Sequence, residues 1–267
     1  MLYINAIVLA VVEGLTEFLP ISSTGHMILV MNYFPLSATP DSAFPDAFIV
    51  MIQLPAIAAV AVYFWRKLWP FSGDEAHQSK TLSLWFNICA AVIPAVVMGL
   101  LFDDLIEHYL FAPIPVAIAL VVGGIILILL ERLKHQTRFE TVHDVPFAVS
   151  MGIGLFQCLA MVPGTSRSAA TIIGAMILGT SRAAAAEFSF FLAIPTMLGA
   201  CVYTIAKSGL IFTSEQWALV AIGSVVSFAT AYVAVAFLMR YIQRHDFTAF
   251  GIYRIVLGGI VLLAYLF

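Results

Sequence analysis

The chain has 267 residues, 62% of them hydrophobic and only 10% charged, with a mean hydropathy of +1.03. Soluble domains carry about 25% charged residues, so the composition excludes a soluble globular enzyme and indicates a polytopic membrane protein. A net charge of −3 offers no basic surface for nucleic acid.

The elements fall into place in chain order. Residues 2–34 hold two apolar arms, each too short to span a bilayer, around a polar cluster. Three runs of spanning length follow at about 46–66, 84–102 and 113–131, since a crossing takes roughly 20 apolar residues. Residues 148–179 repeat the pattern of two short arms around a polar cluster. Three more spans follow at about 184–207, 216–240 and 250–267. Pro and Gly break both short regions. Irregular backbone at membrane depth is tolerated only inside protein or a watery cavity. The spacing therefore predicts an all-α fold of six transmembrane helices plus two re-entrant helix–loop–helix hairpins, 2–34 and 148–179. The N-terminus lacks a basic region and a cleavage signature and reads as mature chain, not a signal peptide. Cys89, Cys158 and Cys201 lie in apolar runs without metal-ligand spacing and read as core-filling side chains.

Loop charges orient these elements. Arg66, Lys67, Lys80, Arg132, Lys134, Arg138, Arg182, Arg240 and Arg244 share one side. Asp41, Asp103, Asp104, Glu107 and Glu215, with Lys207 the lone base, occupy the other. The positive-inside rule makes the basic side cytoplasmic. Both termini then lie outside, the first hairpin dips in from the outer face, and the second from the cytoplasmic face. Gly14-Leu15 and Leu19 match Gly154-Leu155 and Leu159 at an offset of 140, as do Phe48, Pro55 and Tyr63 with Phe188, Pro195 and Tyr203. Pro20 to Ser23 answers Pro163 to Ser166, three residues further displaced. One integral membrane domain, 1–267, is thus expected as two inverted-topology repeats, 1–131 and 148–267.

Ionisable groups at membrane depth mark function by default. Glu13 and Glu17 share a helix face, and two close carboxylates there need a proton or a cation between them. A hard divalent ion, Mg²⁺ or Ca²⁺, suits such ligands when substrate phosphate completes the shell; pairing or capping within the bundle is the plain alternative. Pro20 ends the first arm, and Ser22 or Ser23 can cap the second, whose N-terminus suits phosphate. His26 lies three residues after Ser23, so it can activate that hydroxyl or protonate a departing oxygen. In the second cluster Pro163-Gly164 turns the chain and Thr165-Ser166 supplies caps. Arg167 reads as the sole interior base, with guanidinium geometry suited to phosphate or to a partner at Glu17 or Glu187. Candidate phosphate ligands are Ser22, Thr24, Gly164, Thr165, Ser166 and Arg167, whereas Ser168 and Thr171 favour packing. Gln157, at the repeat position of Glu17, is expected to hydrogen-bond across the pseudo-twofold. Glu187 either supports the site or starts its helix near the interface.

The run from Glu13 through Glu17 to His26, the complete motif from Pro163 to Thr171, and Glu187-Phe188-Ser189-Phe190 resemble the BacA-type undecaprenyl-diphosphate phosphatases over essentially the whole chain. The resemblance implies hydrolysis of undecaprenyl diphosphate to undecaprenyl phosphate and inorganic phosphate. That reaction recycles the carrier lipid for peptidoglycan and envelope glycans and confers bacitracin resistance. It also implies a divalent cation, a site open to the outer face of the cytoplasmic membrane, and roles for Glu13, Glu17, Ser23, His26, Ser166 and Arg167. Two nucleophiles stay open: Ser23 assisted by His26, or a metal-bound water oriented by Glu17. The rival class is an ion-coupled transporter or lipid flippase using the same midplane site. A homodimer is the assembly to consider.

Overall fold

A computed structural model describes residues 1–36, 44–71, 73–110, 112–133, 136–208 and 212–266. Two short helices, α1 (Leu2–Thr16) and α2 (Ser23–Tyr33), precede α3 (Phe44–Tyr63). A single turn, α4 (Trp65–Leu68), leads to α5 (Glu75–Leu110) and α6 (Pro113–Arg132). A second short pair, α7 (Phe147–Gln157) and α8 (Arg167–Ile177), precedes α9 (Arg182–Ser208), α10 (Ser214–Tyr241) and α11 (Thr248–Leu266). Among the described residues the only β pairing is a single bridge, Phe139 to Thr180.

Six helices, α3, α5, α6, α9, α10 and α11, are long and apolar enough to cross a bilayer, where the sequence predicts them. Their outer faces carry bare apolar side chains, with Leu100 73% and Val225 71% exposed, a surface that only lipid can cover. The protein is a multi-pass membrane protein. Both ends of one span differ: α5 runs from Glu75 to Leu110 rather than over 84–102, because polar turns at each end extend the helix beyond the apolar run. Cys201 is buried as expected, but Cys89 is exposed on the outer face of α5. Asp41 and Lys134, and the side chains of Asp103, Asp104, Glu107 and Lys207, lie outside the described residues.

Each short pair folds back so that its two ends meet. Asn5 Nδ2 donates to Pro35 O at 2.7 Å, closing the mouth of the first. The amides of Arg138 and Phe139 donate to Gly179 O at 2.8 and 3.1 Å, closing the second. The mouths face opposite ends of the bundle. The second lies at the end that gathers the Lys67–Glu187 ion pair (2.6 Å) and the Arg182–Glu131 fork. The first lies at the end where Phe44 meets Phe212 at 5.5 Å.

Packing follows the same alternation. α1 lies on α10 and α7 on α5, while α3 contacts both α9 and α10, and α6 runs along α11. Glycine permits close approach in the α1–α10 and α7–α5 contacts: a Cβ on Gly14 would sit 2.6 Å from Ser227 O in α10, and one on Gly154 2.2 Å from Ala91 O in α5. The returning arms are buried unequally. α8 is buried continuously from Ser168 to Met176, whereas α2 buries only Gly25 and Met27.

Because backbone stands in the way at both glycines, Gly14→Val and Gly154→Val should each destabilise the bundle by about 1–3 kcal/mol or more. Gly99→Val, with nothing within 4 Å of its Cβ, should not. Thermal unfolding in detergent measures all three.

Candidate active site

The polar tips of the two short pairs meet. Ser168 Oγ donates to Leu19 O at 2.9 Å, and Phe18 packs edge-on against Phe190 at 5.6 Å. Each returning arm starts from an elbow serine, Ser22 (φ 74°) and Ser166 (φ 70°), the only non-glycine residues with positive φ among those described. Both cap their helix, the Oγ accepting from Gly25 N or Ala169 N at 3.3 Å. Such backbone costs of order 1–3 kcal/mol and persists where surrounding structure enforces it. The elbows pair Ser22 with Ser166, hence Ser23 with Arg167. This corrects the sequence alignment, which set Ser23 against Ser166; the two loops entering the elbows differ in length by one residue more than it allowed. Capping leaves the first amides of both helices without intrahelical partners, and both N-termini carry partial positive charge.

Glu17 is the hub. Its Oε2 accepts from Ser23 Oγ at 2.6 Å, and its Oε1 lies 3.5 Å from Arg167 Nη2. Arg167 is further fixed by Nη1 donating to Ser189 O at 2.9 Å, with its guanidinium 6.0 Å above the Phe18 ring. Thr171 Oγ1 donates to Ser189 Oγ at 2.6 Å beneath it, and Ser168 and Thr171 are fully buried packing groups, as expected. Two buried atoms stay unpaired here, Glu13 Oε1 and Arg167 Nε. Glu13 is 1% exposed and faces Glu17 and Gln53. An unpaired carboxylate oxygen beside a second carboxylate fits a hard divalent ion whose remaining ligands come from phosphate and water. Thr24 and Thr165 stand at the two tips, and Gly164 offers its carbonyl elsewhere, as described below.

His26 departs from expectation. It does not contact Ser23: its Nδ1 bonds Ser22 O and its Nε2 bonds Tyr253 Oη, both at 2.7 Å, with the Tyr253 ring parallel at 5.6 Å. A carbonyl only accepts, so the neutral ring carries its proton on Nδ1 and Nε2 accepts from the tyrosine. Sharing a helical face placed His26 near Ser23 without pointing it there. Gln157 likewise stays within its own half, its Oε1 accepting from Thr196 Oγ1 at 3.4 Å. Glu187 pairs with Lys67 at the basic end, away from Arg167.

Arg167 is not the only interior base. Arg254, fully buried in α11, donates to Leu120 O (3.3 Å), Ala119 O (3.2 Å), Pro20 O (3.3 Å) and Gly164 O (3.0 Å). It ties both tips to α6, and Gly123 makes the space for it. The signal was an arginine inside an apolar span, the same criterion that singled out the two clusters. Tyr253 and Gln53, polar groups within predicted spans, were legible in the same way.

The model of a known protein family, "Bacitracin resistance protein BacA", matches residues 6–260. The chain belongs to the BacA family. Its relatives agree across nearly the full length of both proteins. A protein named undecaprenyl-diphosphatase 1, from Clostridioides difficile, is 51% identical over 98% of this chain and 96% of its own. The undecaprenyl-diphosphatase of Enterococcus faecalis is 47% identical over 97% and 96%, and that of Acetivibrio thermocellus 46% over 98% and 97%. In this BacA-family chain, the residues that carried the resemblance at Glu17, Ser23 and Arg167 are brought into direct contact.

Two outcomes test this geometry. Arg254→Met should orphan the buried Pro20 and Gly164 carbonyls and lower stability by about 2–6 kcal/mol at roughly 1–3 each, read by thermal unfolding. Nitrogen NMR of histidine-labelled protein should find the His26 proton on Nδ1, and Tyr253→Phe should shift Nε2 while leaving that proton in place.

Proposed function

We propose that this protein hydrolyses undecaprenyl diphosphate to undecaprenyl phosphate and inorganic phosphate, and so recycles the carrier lipid and confers bacitracin resistance. The observation that carries the reading is the 2.6 Å hydrogen bond from the Ser23 hydroxyl to Glu17, with Arg167 on the other carboxylate oxygen. Names of the close relatives support the same substrate, and none of those cited is a carrier or flippase.

Ser23 Oγ attacks the terminal phosphorus while Glu17 takes its proton. The phosphoanhydride bond breaks and the lipid leaves as its monophosphate, a good leaving group that needs little acid assistance. Glu17 gives up the serine proton to solvent, then takes one from the water that attacks the phosphoserine and passes it to the departing serine oxygen as inorganic phosphate leaves. Arg167, its Nε still free, and the N-terminal amides of α2 and α8 hold the phosphoryl oxygens, positioning and charge stabilisation being the main source of rate here. Ser22 and Ser166 set those amides, and Thr24 and Thr165 reach the same space. His26 acts through α2, holding the arm that carries Ser23 against α11. Glu13 and Glu17 would hold Mg²⁺ or Ca²⁺, which supplies neutralisation of phosphate charge.

The two short pairs act as re-entrant hairpins within an inverted repeat, residues 1–131 and 148–267. Support comes from the matched elbows, from Pro55 and Pro195 in corresponding spans, and from matched packing of α1 on α10 and α7 on α5. The basic end faces the cytoplasm of a bacterial inner membrane, and the site opens outward beside the half-buried arm α2. Every group in the mechanism comes from one chain, so a homodimer would hold two complete sites.

Phosphate release from undecaprenyl diphosphate by purified protein, with and without Mg²⁺ or Ca²⁺, tests the proposal. Glu17→Ala and Ser23→Ala should each lower turnover by about a hundredfold or more, and Arg167→Lys should lose most of it with the bidentate fork. Trapped wild-type enzyme should carry phosphate on Ser23. No release from folded protein would overturn the activity, and release without any phosphoserine would replace the serine with water.

A further inference from the structure

The end of α10 on the basic side bears a cleft of about 460 Å³ that none of this chemistry uses. Its floor is apolar and lies on the flank of a membrane-spanning helix: Tyr232, Val233 and Phe237 are 40%, 61% and 50% exposed. Its far end is cationic. Arg240 and Arg244 rim it, both exposed, and among the described residues neither makes a side-chain hydrogen bond or an ion pair. The next carboxylate, Asp246, is turned away to cap α11, accepting from Thr248 N at 3.0 Å. Tyr241 and His245 stack at 4.5 Å and wall the cleft between the two arginines.

Two unpaired guanidiniums one helical turn apart call for an anion, and the apolar floor calls for hydrocarbon attached to it. From Tyr232 to Arg240 the floor is about 12 Å long at 1.5 Å per residue, against about 15 Å for one leaflet's share of the hydrocarbon core. A free phosphate would leave that floor bare, and a soluble protein could not reach it through the membrane. We propose that this cleft binds an anionic phospholipid of the adjoining leaflet. The phosphodiester sits between Arg240 and Arg244, and an acyl chain lies along Phe237, Val233 and Tyr232. The site is independent of the phosphatase reading, because no residue of the two tips takes part.

Native mass spectrometry of the purified full chain tests it, in an equimolar mixture of phosphatidylglycerol and phosphatidylcholine with identical acyl chains. Wild-type protein should retain phosphatidylglycerol preferentially. Arg240→Gln with Arg244→Gln should lower that retention about thirtyfold, at roughly the attraction expected of two basic residues near an anionic surface. Arg132→Gln with Arg138→Gln removes equal charge from the same end and should leave retention unchanged. Val233→Trp keeps both arginines, fills the floor, and should also lose the lipid; it decides the matter alone if the double variant fails to fold. Equal loss from both arginine pairs would mean diffuse surface attraction and overturn the site. So would full retention in Val233→Trp, or displacement of the lipid by inorganic phosphate.

Discussion

Breaking a helix inside a packed apolar bundle strands backbone carbonyls and amides that must find partners within the protein. Arg254 meets that constraint for both breaks at once: one guanidinium reaches Pro20 O in the first tip and Gly164 O in the second. Its other bonds, to Ala119 and Leu120, anchor it on α6. The tips are thereby held to each other through a third element. The amide side of each break is met locally, by the elbow serines at positive φ. Strain of that kind survives only if the surroundings are stiff, and the buried arginine supplies the stiffness.

The proposed chemistry depends on this fixture because its groups sit on opposite sides of it. Glu17 ends the first arm, Ser23 starts the second, and Arg167 starts the fourth. None of them is close to the others through local sequence alone except across the breaks. Within the cluster one acceptor and one donor remain unmatched, Glu13 Oε1 and Arg167 Nε. The phosphate and cation proposed above would meet these two atoms, whereas the members of an ordinary buried ion pair satisfy one another.

Much of this was legible in the sequence because lipid simplifies the reading. Six long apolar runs could be little else, and Glu13, Glu17 and Arg167 stood out against their surroundings. Polar spacing placed residues on a face but could not aim them. His26 shares a helix with Ser23 yet turns to Tyr253, since the decisive partner comes from a helix more than two hundred residues away. Gln157 turned to Thr196 for a similar reason. Arg254 was missed on different grounds: embedded in a long apolar run, it was absorbed into a span when it should have interrupted one. The elbow register was off by a residue because loop lengths, not side chains, set it.

The unequal burial of the two returning arms has a consequence for how the protein can change over time. α8 is enclosed on every side from Ser168 to Met176, so almost any substitution there disturbs packing as well as chemistry. α2 is half-buried along most of its length, with only Asn32 and Tyr33 exposed, and is joined to α11 by polar contacts, among them Asn32 Nδ2 to Tyr265 Oη at 3.2 Å. Variation can therefore accumulate on the outer face of α2 without unfolding the bundle. The two returning arms thus differ in their freedom to drift: α8 is held at nearly every position and α2 at few.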